Sequence, residues 1–282
     1  MRSIEDAQVI EQVSTSAATA VGSTCAVQTV INFFASASLS QIWGILNSQQ
    51  LVVHLPMLKQ GRFPANASSV LAMFIKFATF DLIPTEKIDD LIYNWPDSDA
   101  FNLGFETSGV ESNYFLSNIG FALYVIFAYV LLIVINIGPY LLRNKSTCCK
   151  KSHEKLSSYL YWDALIRLYM EVFFDLTLLA ILNVHTAEWD SSYSSVKASN
   201  IVSVFTLVAI FGIMAFFIVR YILLPSETKA EDFGSKFPPL LDGTSISEKE
   251  SNWHLILVPI SFFLRRIIFV LVLILGDDFL WI

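Results

Sequence analysis

Apolar residues run in long stretches separated by short charged ones, and the stretches lack the strict alternation of half-buried strands, so the chain reads as a series of membrane-crossing helices. Only a continuous helix of about 20 apolar residues satisfies its own backbone across a ~30 Å hydrocarbon core. Residues 119–142 meet that demand: they open on IGFALYVIFAYVLLIVI, free of charge, and close on Gly138, Pro139 and Tyr140. Residues 201–224 meet it too, with Arg220 placed to snorkel near the end. Residues 17–46 are rich in Ala, Gly and Ser, the composition of a helix packed against other helices. Residues 160–184 are apolar but interrupted by charge, and residues 255–275 carry Arg265 and Arg266 midway. A shorter run, residues 67–83, contains Lys76 and Asp81 and reads as an interfacial or re-entrant helix.

The expected fold is therefore all-α, a polytopic transmembrane helical bundle of about five spans. Its order is an amino-terminal tail (1–16), first span (17–46), partly apolar loop with short helices (47–116) and second span (117–142). A basic linker (143–159), charged third span (160–184), short loop (185–200), fourth span (201–224), polar linker (225–252) and fifth span with the start of a sixth (253–282) complete it. Gly276, Asp277 and Asp278 read as a turn, and Phe279 to Ile282 as the beginning of a further apolar segment, which predicts truncation at the carboxy end. The stretch RNKSTCCKKSHEK sets Arg143, Lys145, Lys150, Lys151 and Lys155 against Glu154, and the excess of positive charge places it in the cytosol. The loop after the first span and residues 185–200 then face outward, and the amino terminus and residues 225–252 face inward. The start carries Glu5, Asp6 and Glu11 behind Arg2 and lacks the basic opening of a secretory signal.

Composition agrees with a bilayer. Hydrophobic residues make up 54%, charged residues 15%, and mean hydropathy is +0.56, which argues against a water-soluble enzyme fold. A net charge of −7 argues against nucleic acid as a partner, and three cysteines supply no disulfide framework. The four histidines lie in separate segments without metal-ligand spacing, so neither a metal site nor a cofactor is expected. Gly276-Asp277-Asp278 lacks the fuller motif of aspartyl intramembrane proteases, and no phosphate loop or nucleophile elbow is present, so no catalytic residue is assigned.

The third span carries the most informative pattern. Asp163, Arg167, Glu171 and Asp175 recur at every fourth position and fall on one helical stripe ~18 Å long, more than half the hydrocarbon thickness. Charges at such depth cost roughly 2.5–3.5 kcal/mol each and face a bundle interior or a wet cavity. Arg167 is within reach of Asp163 or Glu171, which leaves Asp175 for Arg265 or Arg266 of the fifth span. Two readings stand: a salt-bridge network that fixes helix assembly, or a polar pathway or gate for ions or protons. In a variant of the first, residues 253–264 lie in the membrane plane and the span starts at Ile267. Cys148 and Cys149, beside a span in basic sequence, are candidates for palmitoylation, and Asn66 in the Asn66-Ala67-Ser68 sequon for glycosylation. The acidic later half of the outer loop, with Asp81, Glu86, Asp89, Asp90, Asp97 and Asp99, reads either as a solvated cover or as a vestibule that concentrates cations.

The runs Leu39-Ser40-Gln41-Ile42-Trp43-Gly44-Ile45-Leu46-Asn47, Leu51-Val52-Val53-His54-Leu55-Pro56, Phe63-Pro64-Ala65-Asn66-Ala67 and Phe80-Asp81-Leu82-Ile83-Pro84-Thr85 resemble the carboxy-terminal multi-pass region of large ciliate surface proteins with cysteine-rich, growth-factor-receptor-like repeats. Asp163-Ala164-Leu165-Ile166-Arg167, Glu171 and the Arg265-Arg266 span fit the same resemblance, which covers most of the chain. It departs from that family in lacking the cysteine-rich ectodomain and in ending before the remaining spans. An ectodomain would put the amino terminus outside, against the charge rule, unless residues 67–83 cross as well. A remoter similarity is to transient-receptor-potential-type and polycystin-type membrane regions. The resemblance implies a non-enzymatic membrane module of a surface protein, in the plasma membrane or another endomembrane, acting in anchoring, assembly or signalling. The alternative is a subunit of a transient-receptor-potential-like ion channel or transporter using the acid and Arg cluster. The expected partners are the lipid bilayer and further copies of the chain or additional transmembrane helices.

Overall fold

The structure, a computed structural model, describes residues 50–58, 71, 75, 95–96, 99–110, 112–142, 147–158, 164–223, 233–234, 237–241 and 253–279. These are all-helical, with no strand among them. A 3-10 turn, Leu55–Met57, precedes α1 (Leu103–Thr107), α2 (Phe115–Asn118), α3 (Gly120–Leu142), α4 (Thr147–Ser158), α5 (Leu165–His185), α6 (Ser194–Ile222), α7 (Pro238–Leu241) and α8 (Trp253–Phe279). The first span, most of residues 67–83 and the sequon at Asn66 lie outside the described residues.

Helix α5 is the centre. Twelve of its 21 residues are buried, more than one stripe of an amphipathic surface helix would enclose, because α6 and α8 both pack against it and α2 and α7 meet it as well. Its neighbouring rings Phe173 and Phe174 point into different clusters, as a ~100° step per residue requires. Phe173 joins Tyr169, Phe217 and Phe263, and Phe174 joins Leu178, Leu182, Val270, Leu273, Ile274, Val53, Met57 and Phe105. Tyr169 crosses the first cluster and donates its hydroxyl hydrogen to the Ile210 carbonyl at 2.9 Å, which ties α5 to α6 midway.

Among the described residues two helices are long and apolar enough to cross a bilayer: α6, and residues Ile256–Gly276 of α8. Only 17% and 33% of their most apolar stretches are buried. A core helix of a water-soluble protein would be mostly covered, whereas Phe205 and Val208 of α6 and Leu264 and Ile268 of α8 stand open. Such exposure suits lipid. Helix α6 keeps a different stripe for its neighbours: Ser195, Ser199, Asn200 and Ser203 are buried, small or hydrogen-bonding groups that let two helices approach closely.

Four expectations shift. The basic linker is helical over α4, where straight-chain Lys and Glu favour a helix that hydrophobic periodicity does not flag. His153 of α4 lies 3.2 Å from the buried amide oxygen of Asn136 in α3 and edge-on to the Tyr140 ring. The fourth helix begins at Ser194 inside the expected short loop, because its polar first two turns are the packing stripe just described. The polar linker contributes Phe233, Phe237, Leu240 and Leu241 to the core. Finally, α8 runs without interruption from Trp253 to Phe279, so Gly276-Asp277-Asp278 is helix where a turn is expected, and no break separates 253–264 from Ile267.

Segment 50–58 docks beside α1 through one close approach. A Cβ on Gly104 would run into the Pro56 carbonyl oxygen and come within 2.9 Å of the Met57 Cα, both backbone atoms unable to rotate away. Gly104→Ala is therefore expected to destabilise the chain by about 1–3 kcal/mol, read as a lower unfolding midpoint in detergent. An unchanged midpoint would mean that this approach is not held in the folded protein.

Candidate functional site: a buried charge cluster

The third-span stripe and the Arg pair meet where α5 crosses α8. The sequence leaves the choice between Arg265 and Arg266 open, and helical phase decides it. Phe263, Arg266, Val270, Leu273 and Ile274 form the buried side of α8, so Arg266 is wholly enclosed and Arg265 is exposed on the opposite side. The guanidinium of Arg266 stacks over the Phe262 ring, 3.6 Å from its centroid, and an Nη2 hydrogen is donated to Gln50 Oε1 at 3.2 Å. Gln50 in turn donates its Nε2 hydrogen to the backbone carbonyl of Glu171 at 3.4 Å. One amide thus links α8 to α5.

Both deep acids of the stripe lie within electrostatic reach of Arg266. Glu171 is buried, and its Oε2 has no hydrogen-bond partner among the described residues. Asp175, with 17% of its side chain exposed, faces His54 across 3.8 Å, too long for a hydrogen bond but close enough for electrostatic coupling. His54 is enclosed, edge-on to Phe174 at 4.6 Å, and its Nδ1 lies 2.6 Å from the Gln50 carbonyl oxygen. Burial pushes the imidazole down to about 4, against the raising effect of that carbonyl.

Of the expected residues, the structure therefore brings together Glu171, Asp175 and Arg266. Arg167 is half-buried one turn before Glu171, Asp163 lies outside the described residues, and Arg265 stands apart. Cys148 and Cys149 fall in the first turn of α4. Sequence reasoning misses Gln50 and His54, because no spacing links them to a helix more than a hundred residues away. The signal that existed was a polar Gln and a His flanking the apolar Leu51-Val52-Val53.

A second polar centre lies at the far end of α5. Asn183 Oδ1 accepts hydrogens from the Phe115 backbone at 2.9 Å and from the Ser199 hydroxyl at 2.6 Å. Its Nδ2 donates to Asn200 Oδ1 at 2.7 Å, Asn200 donates to the Glu188 carbonyl at 3.2 Å, and the Leu116 amide donates to Ser199 Oγ at 3.2 Å. Above it is an open hollow of about 560 Å³ whose lining includes Asp99, Glu188, Phe101, Tyr114 and Tyr193. The Tyr114 phenol is pushed up by burial, then by the charges of Glu188 and Tyr193, and its ring stacks on Trp95 at 5.4 Å. Of the acidic half of the outer loop, Asp99 is the member that falls among the described residues.

Among the described residues no group of three or more His, Cys, Asp and Glu is placed to hold a metal ion. What the cluster offers chemically is charge compensation and proton holding inside a low-dielectric interior. No protein-family model, curated protein or solved structure matches the chain.

Proposed function

We propose that the chain is a multi-pass integral membrane protein and a non-enzymatic membrane module of a surface protein, of the kind its ciliate-like sequence runs suggest, in which the buried charge cluster ties three segments into one bundle. The observation that carries this reading is Arg266: a guanidinium wholly enclosed on a helix whose outer face, Arg265 apart, is apolar and open. A charge there is tolerable only with fixed partners, and those partners come from two other parts of the chain. The spans are α3, α5, α6 and α8, together with the residue 17–46 stretch. Helix α3 adds 23 residues, ~35 Å of helix at 1.5 Å per residue, to the two already long enough. Aromatic walls around Arg266 and His54 favour assembly over conduction, because a wet route would leave these groups open to water.

Two experiments test this. In a background with the three native cysteines replaced by serine, a cysteine at Lys150 is expected to react with an impermeant maleimide only after permeabilisation, and one at Ser192 from outside intact cells. Labelling of both from the same side would overturn the topology. Glu171→Gln is expected to lower the amount of folded protein; a normal amount with an altered ionic current would instead establish the channel reading.

A further inference from the structure

We propose that His54 and Asp175 form a proton-binding site that holds segment 50–58 against α5 and α8 only while the pair keeps one proton. The inference rests on the reading of the cluster as the tie between these segments and deepens it. Its starting point is the identity of the atoms. A carbonyl oxygen only accepts, so the 2.6 Å contact to the Gln50 carbonyl requires a hydrogen on His54 Nδ1. In the neutral ring this leaves the Nε2 lone pair facing Asp175 Oδ1 at 3.8 Å. A lone pair and a carboxylate repel each other. The contact is favourable when a proton from solution sits on either partner, as imidazolium facing carboxylate or as carboxylic acid facing imidazole.

The charge count of the cluster points the same way. His54 is the titratable group of segment 50–58; α5 supplies Glu171 and Asp175, with Arg167 one turn earlier, and α8 supplies Arg266 while Arg265 is turned away. Helix α1, packed on the Leu55–Met57 turn, keeps Glu106 exposed. With Arg266 and Glu171 charged, the four central groups sum to zero when the pair holds one proton and to −1 when it holds none. An uncompensated charge in an enclosed site is strongly unfavourable. The docked state therefore binds one proton, wherever on the pair it resides.

The sign follows. Undocked, Asp175 is ionised and His54 returns to an ordinary imidazole that releases its proton near pH ~6.5. Above that pH docking takes up a proton, so it weakens as pH rises, by up to about tenfold per pH unit, until the docked pair releases its own proton. Below it both states hold the proton and the dependence fades.

Hydrogen exchange of the full chain in detergent micelles, corrected for the pH dependence of intrinsic exchange, reads docking as protection of the amides of residues 50–58. Wild-type protection is expected to fall, by up to about tenfold per pH unit, as pH rises above about 6.5, while amides in the middle of α6 stay constant. Asp175→Asn places a neutral amide donor opposite Nε2, so the slope is expected to vanish. A flat wild-type profile, or a slope that persists in Asp175→Asn, overturns the proposal. The wild-type titration decides by itself if that variant fails to accumulate: a one-proton slope confined to residues 50–58 supports it. Flat but high protection overturns the proton site alone, whereas absence of protection at every pH overturns the tie between the segments as well.

Discussion

Arg266→Met is expected to destabilise the folded chain by about 3–5 kcal/mol, because it leaves two acids in an enclosed site without their cation. Glu171 and Asp175 both lie in the field of this one guanidinium, and Gln50 loses the charge-assisted bond that links segment 50–58 to α8. The neighbouring change Arg265→Met is expected to cost nothing, since that side chain is exposed on the opposite side of the same helix. Replacing the whole set, Arg266→Met with Glu171→Met and Asp175→Met, is expected to recover most of the loss. Methionine has comparable length and no charge to desolvate, and exchanging a complete buried ion cluster for apolar groups is often neutral or stabilising. Reversible unfolding in mixed micelles, with the three variants and the wild type side by side, reads all of this. Equal losses for Arg265→Met and Arg266→Met would remove the basis for placing Arg266 at the centre. A triple variant worse than the single would mean that the acids are held by something other than the guanidinium.

The stripe of acids was legible because a four-residue period needs nothing but the sequence, and the shared level of the Arg pair and the deep acids because both helices can be counted from their amino-terminal ends. Which Arg turns inward was not legible. Helix α8 is apolar on every side around the pair, so the hydrophobic pattern gives no phase, and only the packing of Phe263 with Phe173 and of Val270 with Phe174 on α5 selects Arg266. Gln50 and His54 were hidden for a different reason: their partners lie on helices α5 and α8, and a contact between distant segments leaves no spacing to read. Helix type was legible wherever lipid would be the neighbour, as in α3, α6 and α8. It failed where protein is the neighbour: the first turns of α6 and the apolar residues within the polar linker are packing surfaces written in Ser, Asn, Phe and Pro, which on composition alone resemble loop.

The same blind spot conceals Asn183, whose replacement is the second large effect. A single Asn in a run of Leu, Ala and Ile reads as an incidental polar residue, yet its amide joins α5 to the start of α2 and to the polar stripe of α6. Asn183→Leu fills a similar volume but strands the Phe115 backbone N–H and the Asn200 side chain away from water. Each buried group so orphaned costs roughly 1–3 kcal/mol, so a loss of about 2–4 kcal/mol is expected. Asn183→Asp keeps both acceptor contacts and loses the donor to Asn200, and is expected to fall between Leu and wild type. Because this centre lies two to three turns further along α5 than Asp175 and Glu171, Asn183→Leu and Arg266→Met are expected to add within about 0.5 kcal/mol. Strong non-additivity between them, measured in the same micelle assay, would mean that α5 shifts as a rigid rod and that the two polar centres report one docking event instead of two.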